Sequence, residues 1–254
     1  MPPLKKIAAA AAMSLAIGAL VPQGALAFDA NNKAELGKFI RDYIVSHPEI
    51  LLEAQDALQA KQEAAQRQQV KAIIAKHSKE LFHAPGDLVV GNPDGDVSIV
   101  EFFDYNCPYC RHAVQDTKTI IGNDKNVRYV FKEFPILGPD SVAASRVSMA
   151  VQIVAPDKFK AFHDTLLGAS ERATEASAFD VAKKLGIDTA KLKAAMDNPS
   201  IETQIKQSYA LANALHITGT PAYVVGDEAV SGVVGAAALE EKIDNVRKCK
   251  STAC

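Results

Sequence analysis

Apolar and polar positions divide the 254-residue chain into three stretches of different texture. From Ile7 to Val21 apolar residues run almost unbroken, over a length short of the ~20 residues that a membrane-crossing helix needs. From residue 28 to about 84 the apolar positions recur at helical spacing and glycine is almost absent. Leu36, Phe39, Ile40 and Tyr43 mark one stripe, with Asn32 and Glu35 reading as a capping box at its start. Ser46-His47-Pro48-Glu49 reads as a stop and restart, and Ile50, Leu51, Ala54 and Leu58 open a second helix. Beyond Leu58 the segment KQEAAQRQQ at 61–69 favours helix but carries no large apolar group, so it can bury little against its own chain.

The third stretch, from about residue 85, alternates between two periods. Val97–Phe103, Val127–Phe134, Ala222–Val225 and Val230–Val234 are runs of strand length. About 80 residues with helical stripes lie between the second and third runs, marked by Val147, Ala150, Val151 and Val154, by Phe159, Phe162 and Leu166, by Phe179, Ala182 and Leu185, and by Ile201, Ile205, Ala212 and Leu215. Leu239, Ile243 and Val246 supply a final helix. The order strand, helix, strand, helical block, strand, strand, helix predicts an α/β domain.

Composition and charge narrow the function classes only a little. The chain is 48% hydrophobic, with 14 Gly and 12 Pro, as a globular protein is. A net charge of -2 gives no electrostatic argument for nucleic acid or an acidic membrane as partner. Lys5 and Lys6, the short apolar run and Ala25-Leu26-Ala27 predict a cleaved secretory signal over residues 1–27 and a mature start near Phe28. Losing those two lysines takes the net charge to -4, and no other segment is apolar and long enough to insert in a membrane. Export places the mature chain in an oxidising compartment. The apolar surface of the first helix and the start of the second exceeds what a two-helix arm can hide, which predicts self-association; a long surface helix docked on the main domain is the alternative.

Candidate chemistry concentrates in FDYNCPYCRHA, residues 103–113, where two of only four cysteines stand three apart between a strand and a helix. Counting from Cys110, Ala113, Val114, Thr117 and Ile121 fall on its helix face, so Cys110 lies on the buried stripe. Cys107 falls in the first turn, where unpaired N–H groups and the helix dipole favour a thiolate and the sulfur can face solvent. Pro108 suits that turn. Structural zinc would need two further ligands at matching spacing. The remaining cysteines, Cys249 and Cys254, lie at the far end of the chain, no histidines form a ligand pair, and His112 falls on a different helix face from Cys110. The reading is therefore redox chemistry, with no metal and no cofactor. Glu101, inside an apolar strand, is costly there unless it is paired or protonated, and Lys132 is a candidate partner. Cys249 and Cys254 can close a small tail disulfide; a redox-active tail or Cu(I) ligation are the alternatives.

The strand followed by CPYC, the PILGPDS segment at 135–141, the helical block and Gly219-Thr220-Pro221 before a strand resemble the DsbA-like thiol-disulfide oxidoreductases over roughly residues 85–248. With its helical N-terminal segment the chain is most similar to the ScsC-type members of that family. The resemblance implies a thioredoxin fold with an inserted helical subdomain at about 138–216, preceded by an N-terminal helical oligomerisation arm at 28–84, in a periplasmic homo-oligomer with a trimer favoured. It implies Cys107 as nucleophile and Cys110 as resolving thiol, forming a redox-active disulfide. Pro108 and Tyr109 would tune the potential, Thr220 and Pro221 would form a substrate-binding cis-proline loop, and Glu101 would be the buried acid. Partners would be substrate proteins with cysteines and an unidentified membrane redox partner. Thr220 before the proline is similar to isomerase-type members, whereas the monomeric oxidase carries Val there. A monomeric oxidase and a copper-binding periplasmic protein are the rival readings. Glutaredoxins share CPYC, but their cis-proline follows much more closely than the 114 residues between Cys107 and Pro221.

Overall fold

A computed structural model describes residues 30–254, with side chains from residue 33 onward. The expected signal segment, residues 1–27, lies outside the described residues. Two compact units are formed, one ending at Gln59 and one running from Ala60 to Cys254, so the division falls inside a helix and not at residue 84.

In the first unit, helix α1 (Ala30–Ser46) precedes the first half of α2 (Glu49–Lys76). Asn32 lies two residues inside α1, not at its start as the capping-box reading has it. Pro48 sits immediately before α2, where its missing N–H leaves no helical bond unmade. The apolar stripe is solvent-facing: Phe39 is 65% exposed, Val45 71% and Leu52 65%. Residues 61–69 are exposed throughout, in keeping with their composition.

The second unit takes the rest of α2 because its sequence changes there. Val70, Ile73 and Ile74 return the apolar stripe and pack, with Leu81 of α3 (Ser78–Phe82), on one face of a sheet. Among the described residues that sheet has five strands in the order β1-β3-β2-β4-β5: β1 (Leu88–Gly91), β2 (Val97–Phe103), β3 (Val127–Glu133), β4 (Ala222–Val225) and β5 (Glu228–Ser231). Only β2 and β3 are parallel, joined by α4 (Pro108–Asn123); the other neighbours are antiparallel. Both faces of β2 are covered, which is why it reads as a continuous apolar run. Val100 and Phe102 face the layer of α2, α3 and α9 (Pro199–Ala214), while Ile99 and Phe103 face α4 and α10 (Ala236–Cys249).

The helical block is α5 (Pro139–Val154), a 3-10 turn at Pro156–Lys158, α6 (Phe159–Gly168), α7 (Glu175–Lys184), α8 (Thr189–Ala195) and α9. This is the thioredoxin-like architecture with a helical insertion that the resemblance implies. Two strands depart from the sequence reading. The last one ends at Ser231 and does not reach Val234, because Gly232 turns out at a φ of 82° and its N–H bonds the Pro221 carbonyl at 2.9 Å. The first, β1, has four residues, too few to display a period, and ends at Gly91, where a φ of 76° and the Val127 carbonyl leave no room for a side chain.

A buried ion pair joins α3 to the sheet. Lys132 reaches Asp87 at 2.5 Å and the Glu80 carbonyl at 2.8 Å, and Arg128 bonds the Phe82 carbonyl. Burial pushes Asp87 up and Lys132 down, and their mutual attraction opposes both shifts. Removing one partner strands the other charge, so Asp87→Ala is expected to lower stability by about 3 kcal/mol, read from the urea midpoint of unfolding. An unchanged midpoint would refute this account of the pair.

Candidate active site

Strand β2 delivers the chain to the site, and the loop Asp104-Tyr105-Asn106 turns it into α4. Asp104, wholly buried, shapes that loop: its carbonyl accepts from Cys107 N–H at 3.0 Å, and its carboxylate accepts from Asn106 N–H at 2.8 Å and Leu137 N–H at 2.9 Å. Asn106 ties the same loop to the helical insertion. Its side-chain amide donates to Ser141 Oγ at 3.0 Å and to the Ala173 carbonyl at 2.9 Å, and its oxygen accepts from Ala173 N–H at 2.8 Å.

Cys107 is the N-cap of α4, and Pro108 occupies the first helical position. Proline has no N–H, so the first donors aimed at the sulfur are the backbone groups of Tyr109 and Cys110. The Cys110 thiol, the Thr220 side chain and those two N–H groups hold the Cys107 thiol down at about 6 from 9.0, with the Cys110 hydrogen bond the strongest contribution, and burial opposes them. Cys107 is nevertheless covered, 4% exposed against 0% for Cys110, which corrects the expectation of a solvent-facing nucleophile. The cover comes from Thr220, whose carbonyl lies 3.1 Å from Cys107 Sγ and whose peptide bond to Pro221 is cis. Tyr109, by contrast, is 63% exposed beside the pair. Cys110 is pushed far up, first by burial and then by its bond to Cys107 and the charge of Glu101. Both thiols are free.

Glu101 lies on the cysteine side of the sheet, 1% exposed, and burial raises its carboxyl to about 8. Its partner is not Lys132. In the parallel register Glu101 stands beside Phe131 and Lys132 beside Phe102, so Lys132 points to the opposite face. Tyr129 fills the place instead, its hydroxyl donating to Glu101 Oε2 at 2.6 Å.

Sequence reasoning missed Tyr129, Asp104 and Asn106, and also a second buried acid. Glu133 is raised to about 8 by burial, accepts from Ser145 Oγ at 2.6 Å, and meets the argument already applied to Glu101, a carboxylate in an apolar strand. Nearby, Tyr105 OH bonds Ser148 Oγ at 2.7 Å and His163 Nδ1 at 3.2 Å, and burial lowers His163 to about 3. His112 is exposed. Cys249 and Cys254 form a disulfide at the end of α10, and Asp227 holds that tail through Thr252 N–H at 2.9 Å and Ser251 Oγ at 2.9 Å.

Residues 98–244 match the DSBA-like thioredoxin domain, and residues 32–65 match the N-terminal domain of the copper resistance protein ScsC. A thioredoxin-like oxidoreductase from Silicibacter pomeroyi is 43% identical, with 67% of this chain and 98% of that one superposing at a TM-score of 0.65. Proteus mirabilis ScsC in a transitional conformation is 30% identical, covering 85% of this chain and 97% of that one at a TM-score of 0.64. Disulfide bond formation protein D of Bacillus subtilis is 28% identical over 65% of this chain and 79% of its own length. The chain spans 24% of another curated relative, the Na(+)/H(+) antiporter NhaA 3 of Salinispora tropica. With the match to the first domain extending over more than half its length, the chain belongs to the DsbA-like thioredoxin-domain family of thiol-disulfide oxidoreductases.

Proposed function

We propose that the chain is an exported, periplasmic thiol-disulfide oxidoreductase that reshuffles or reduces protein disulfides as a homo-oligomer, with Cys107 as nucleophile and Cys110 as resolving thiol. The observation that carries this reading is the inequality of the two thiols, one held at about 6 and the other pushed far up by burial. The Cys107 thiolate attacks a substrate disulfide, forming a mixed disulfide and releasing one substrate thiolate. A substrate thiolate then attacks the substrate sulfur of that bond, making a new substrate disulfide and freeing Cys107. Alternatively Cys110 gives its proton to ionised Glu101 and attacks the Cys107 sulfur, leaving reduced substrate and an oxidised enzyme. Oxidation of substrate is this second route reversed.

Magnitudes indicate which step the low pKa serves. At pH 7 a thiol at about 6 is roughly 90-fold richer in thiolate than one at 9.0. Its intrinsic nucleophilicity falls by about 25-fold over the same three units, so attack gains only about fourfold. The larger gain is in departure: a thiolate this stable leaves readily when a substrate thiolate attacks the substrate sulfur of the mixed disulfide, the reshuffling route, whereas in resolution by Cys110 the leaving group is the substrate thiolate. Thr220 and cis-Pro221 cover the sulfur and offer backbone to an extended substrate strand, while Tyr109 provides an apolar contact.

Self-association is supported by the exposed stripe of α1 and the start of α2, where Leu36, Phe39, Ile40, Tyr43, Leu51 and Leu58 are uncovered. It agrees with the match of residues 32–65 to the ScsC N-terminal domain. Intact mature protein is expected to be an oligomer by light scattering and to refold a protein with scrambled disulfides. Deleting residues 28–59 should give a monomer that keeps dithiol oxidase or reductase activity and loses most isomerase activity. A monomeric intact protein would leave the oxidase reading in its place. Tight Cu(I) binding without disulfide turnover would favour the copper-binding reading.

A further inference from the structure

Among the described residues, two polar atoms beneath the cysteines have no hydrogen-bond partner, and their residues face each other across the sheet. Glu101 Oε1 and Tyr223 OH are both unpartnered and buried. The antiparallel register of β2 and β4 sets Glu101 directly opposite Tyr223, an arrangement that brings Cβ atoms to about 5 Å. A buried hydroxyl or carboxylate oxygen left unbonded forfeits its hydration with nothing in return, so an aligned pair of such atoms on one face asks for a reason.

The surroundings supply one. Tyr129 occupies the other oxygen of Glu101, and it donates whether the carboxyl is charged or neutral. Ionised Glu101 needs a second donor for Oε1, and Tyr223 is the spare one. Asp116 of α4 lies within electrostatic reach of both, its negative charge raising Glu101 and Tyr223 alike. It is half-buried, and its Oδ1 accepts from Ala236 N–H at the start of α10 at 3.1 Å, so it is held in place at the edge of the core. The groups facing Glu101 are therefore Tyr129 from β3, Tyr223 from β4, and Cys107, Cys110 and Asp116 from α4, while α10 presents apolar Leu239 and Ile243 to this core.

We propose that Tyr223 is a positioning residue for Glu101 and its proton outlet, bonding Oε1 when the carboxyl ionises and passing the proton on to Asp116 and solvent. This rests on the reading of Glu101 as the base for Cys110. When Cys110 attacks the Cys107 sulfur, its proton goes to Glu101. Glu101 later hands that proton to the Tyr223 oxygen as the Tyr223 hydroxyl proton moves to Asp116. One proton leaves the core, Tyr223 ends unchanged, and the only electrons exchanged are those of the disulfide reaction.

The test is the rate of mixed-disulfide resolution against pH, in the full mature chain, with a fluorescent disulfide peptide as probe. Wild type should show a limb near the titration of Glu101, which is raised by burial to about 8. Glu101→Gln should abolish that limb and slow resolution by about tenfold or more at neutral pH. Tyr223→Phe, which removes only the unpartnered hydroxyl, should move the limb to higher pH and slow resolution by roughly threefold to tenfold, with thermal stability kept or raised. Asp116→Asn should move the limb the opposite way, to lower pH, because it removes a negative charge. If Glu101→Gln changes the profile and Tyr223→Phe superimposes on wild type, the outlet is refuted while the base stands. A profile unchanged by Glu101→Gln refutes the base, and the outlet with it.

Discussion

Replacing Cys107 with Ser is expected to reduce disulfide exchange to the uncatalysed rate, whereas replacing Cys110 with Ser should leave the first attack intact and trap it. The two sulfurs differ in surroundings before they differ in role. Cys107 receives hydrogen bonds from Cys110, the Thr220 side chain and the first N–H groups of α4, and its charge is stabilised by all of them. Serine has no accessible anion at neutral pH, so none of those donors can rescue it. Cys110→Ser exchanges the thiol that makes the strongest of those bonds for a hydroxyl, itself a donor, so Cys107 keeps its thiolate. The substitution also removes the only intramolecular thiol able to resolve the mixed disulfide. Mass spectrometry of Cys110→Ser with a disulfide peptide should therefore find the covalent adduct on Cys107. Turnover in Cys107→Ser, or an adduct on Cys110 in its absence, would overturn the assignment.

Reduced protein should gain stability over oxidised protein as pH rises from about 6 to 9, by up to roughly 4 kcal/mol. The Cys107 thiol falls from 9.0 to about 6 on folding, and each unit corresponds to about 1.4 kcal/mol. A depressed acid stabilises the fold above its unfolded pKa, and that stabilisation is lost as pH falls through its folded pKa. The window is therefore 6 to 9, and it exists only in the reduced form, because a disulfide does not titrate. Glu101 and Glu133, raised to about 8, act in the opposite sense: the fold binds their protons between 4.5 and 8, so total stability falls as pH rises through that range. His163, lowered to about 3, costs stability below 6.5. These three titrate in both redox forms and largely cancel from the difference. Urea unfolding of both forms at pH 6, 7 and 8 measures it, and a difference that stays constant with pH would contradict the low pKa of Cys107.

What the sequence discloses follows the range of the forces involved. Seven-residue apolar runs such as Val97–Phe103 announce β2, and the helical period from Cys110 to Ile121 places one cysteine inside. These are local signals that need no knowledge of the rest of the fold. The cover over Cys107 comes from Thr220, 113 residues away, and no helix register can reveal it. The partner of Glu101 depends on how β2 and β3 align: a shift of one residue exchanges Lys132 for Phe131, and the sequence carries no mark of that register. The arm was legible as helix, but the point where it joins the domain was not, because Ile74 and Leu81 bury themselves against strands far along the chain.

Asn106 suggests where the redox behaviour of such a protein could drift without any change in CPYC. Its three side-chain hydrogen bonds end on Ser141 and on the backbone of Ala173, both in the helical insertion. The turn carrying Cys107 is thus fastened to the helical insertion, outside CPYC itself. An exchange of insertion loops between relatives would retune this site from a distance, much as moving the bridge of a stringed instrument changes the note while the string stays the same.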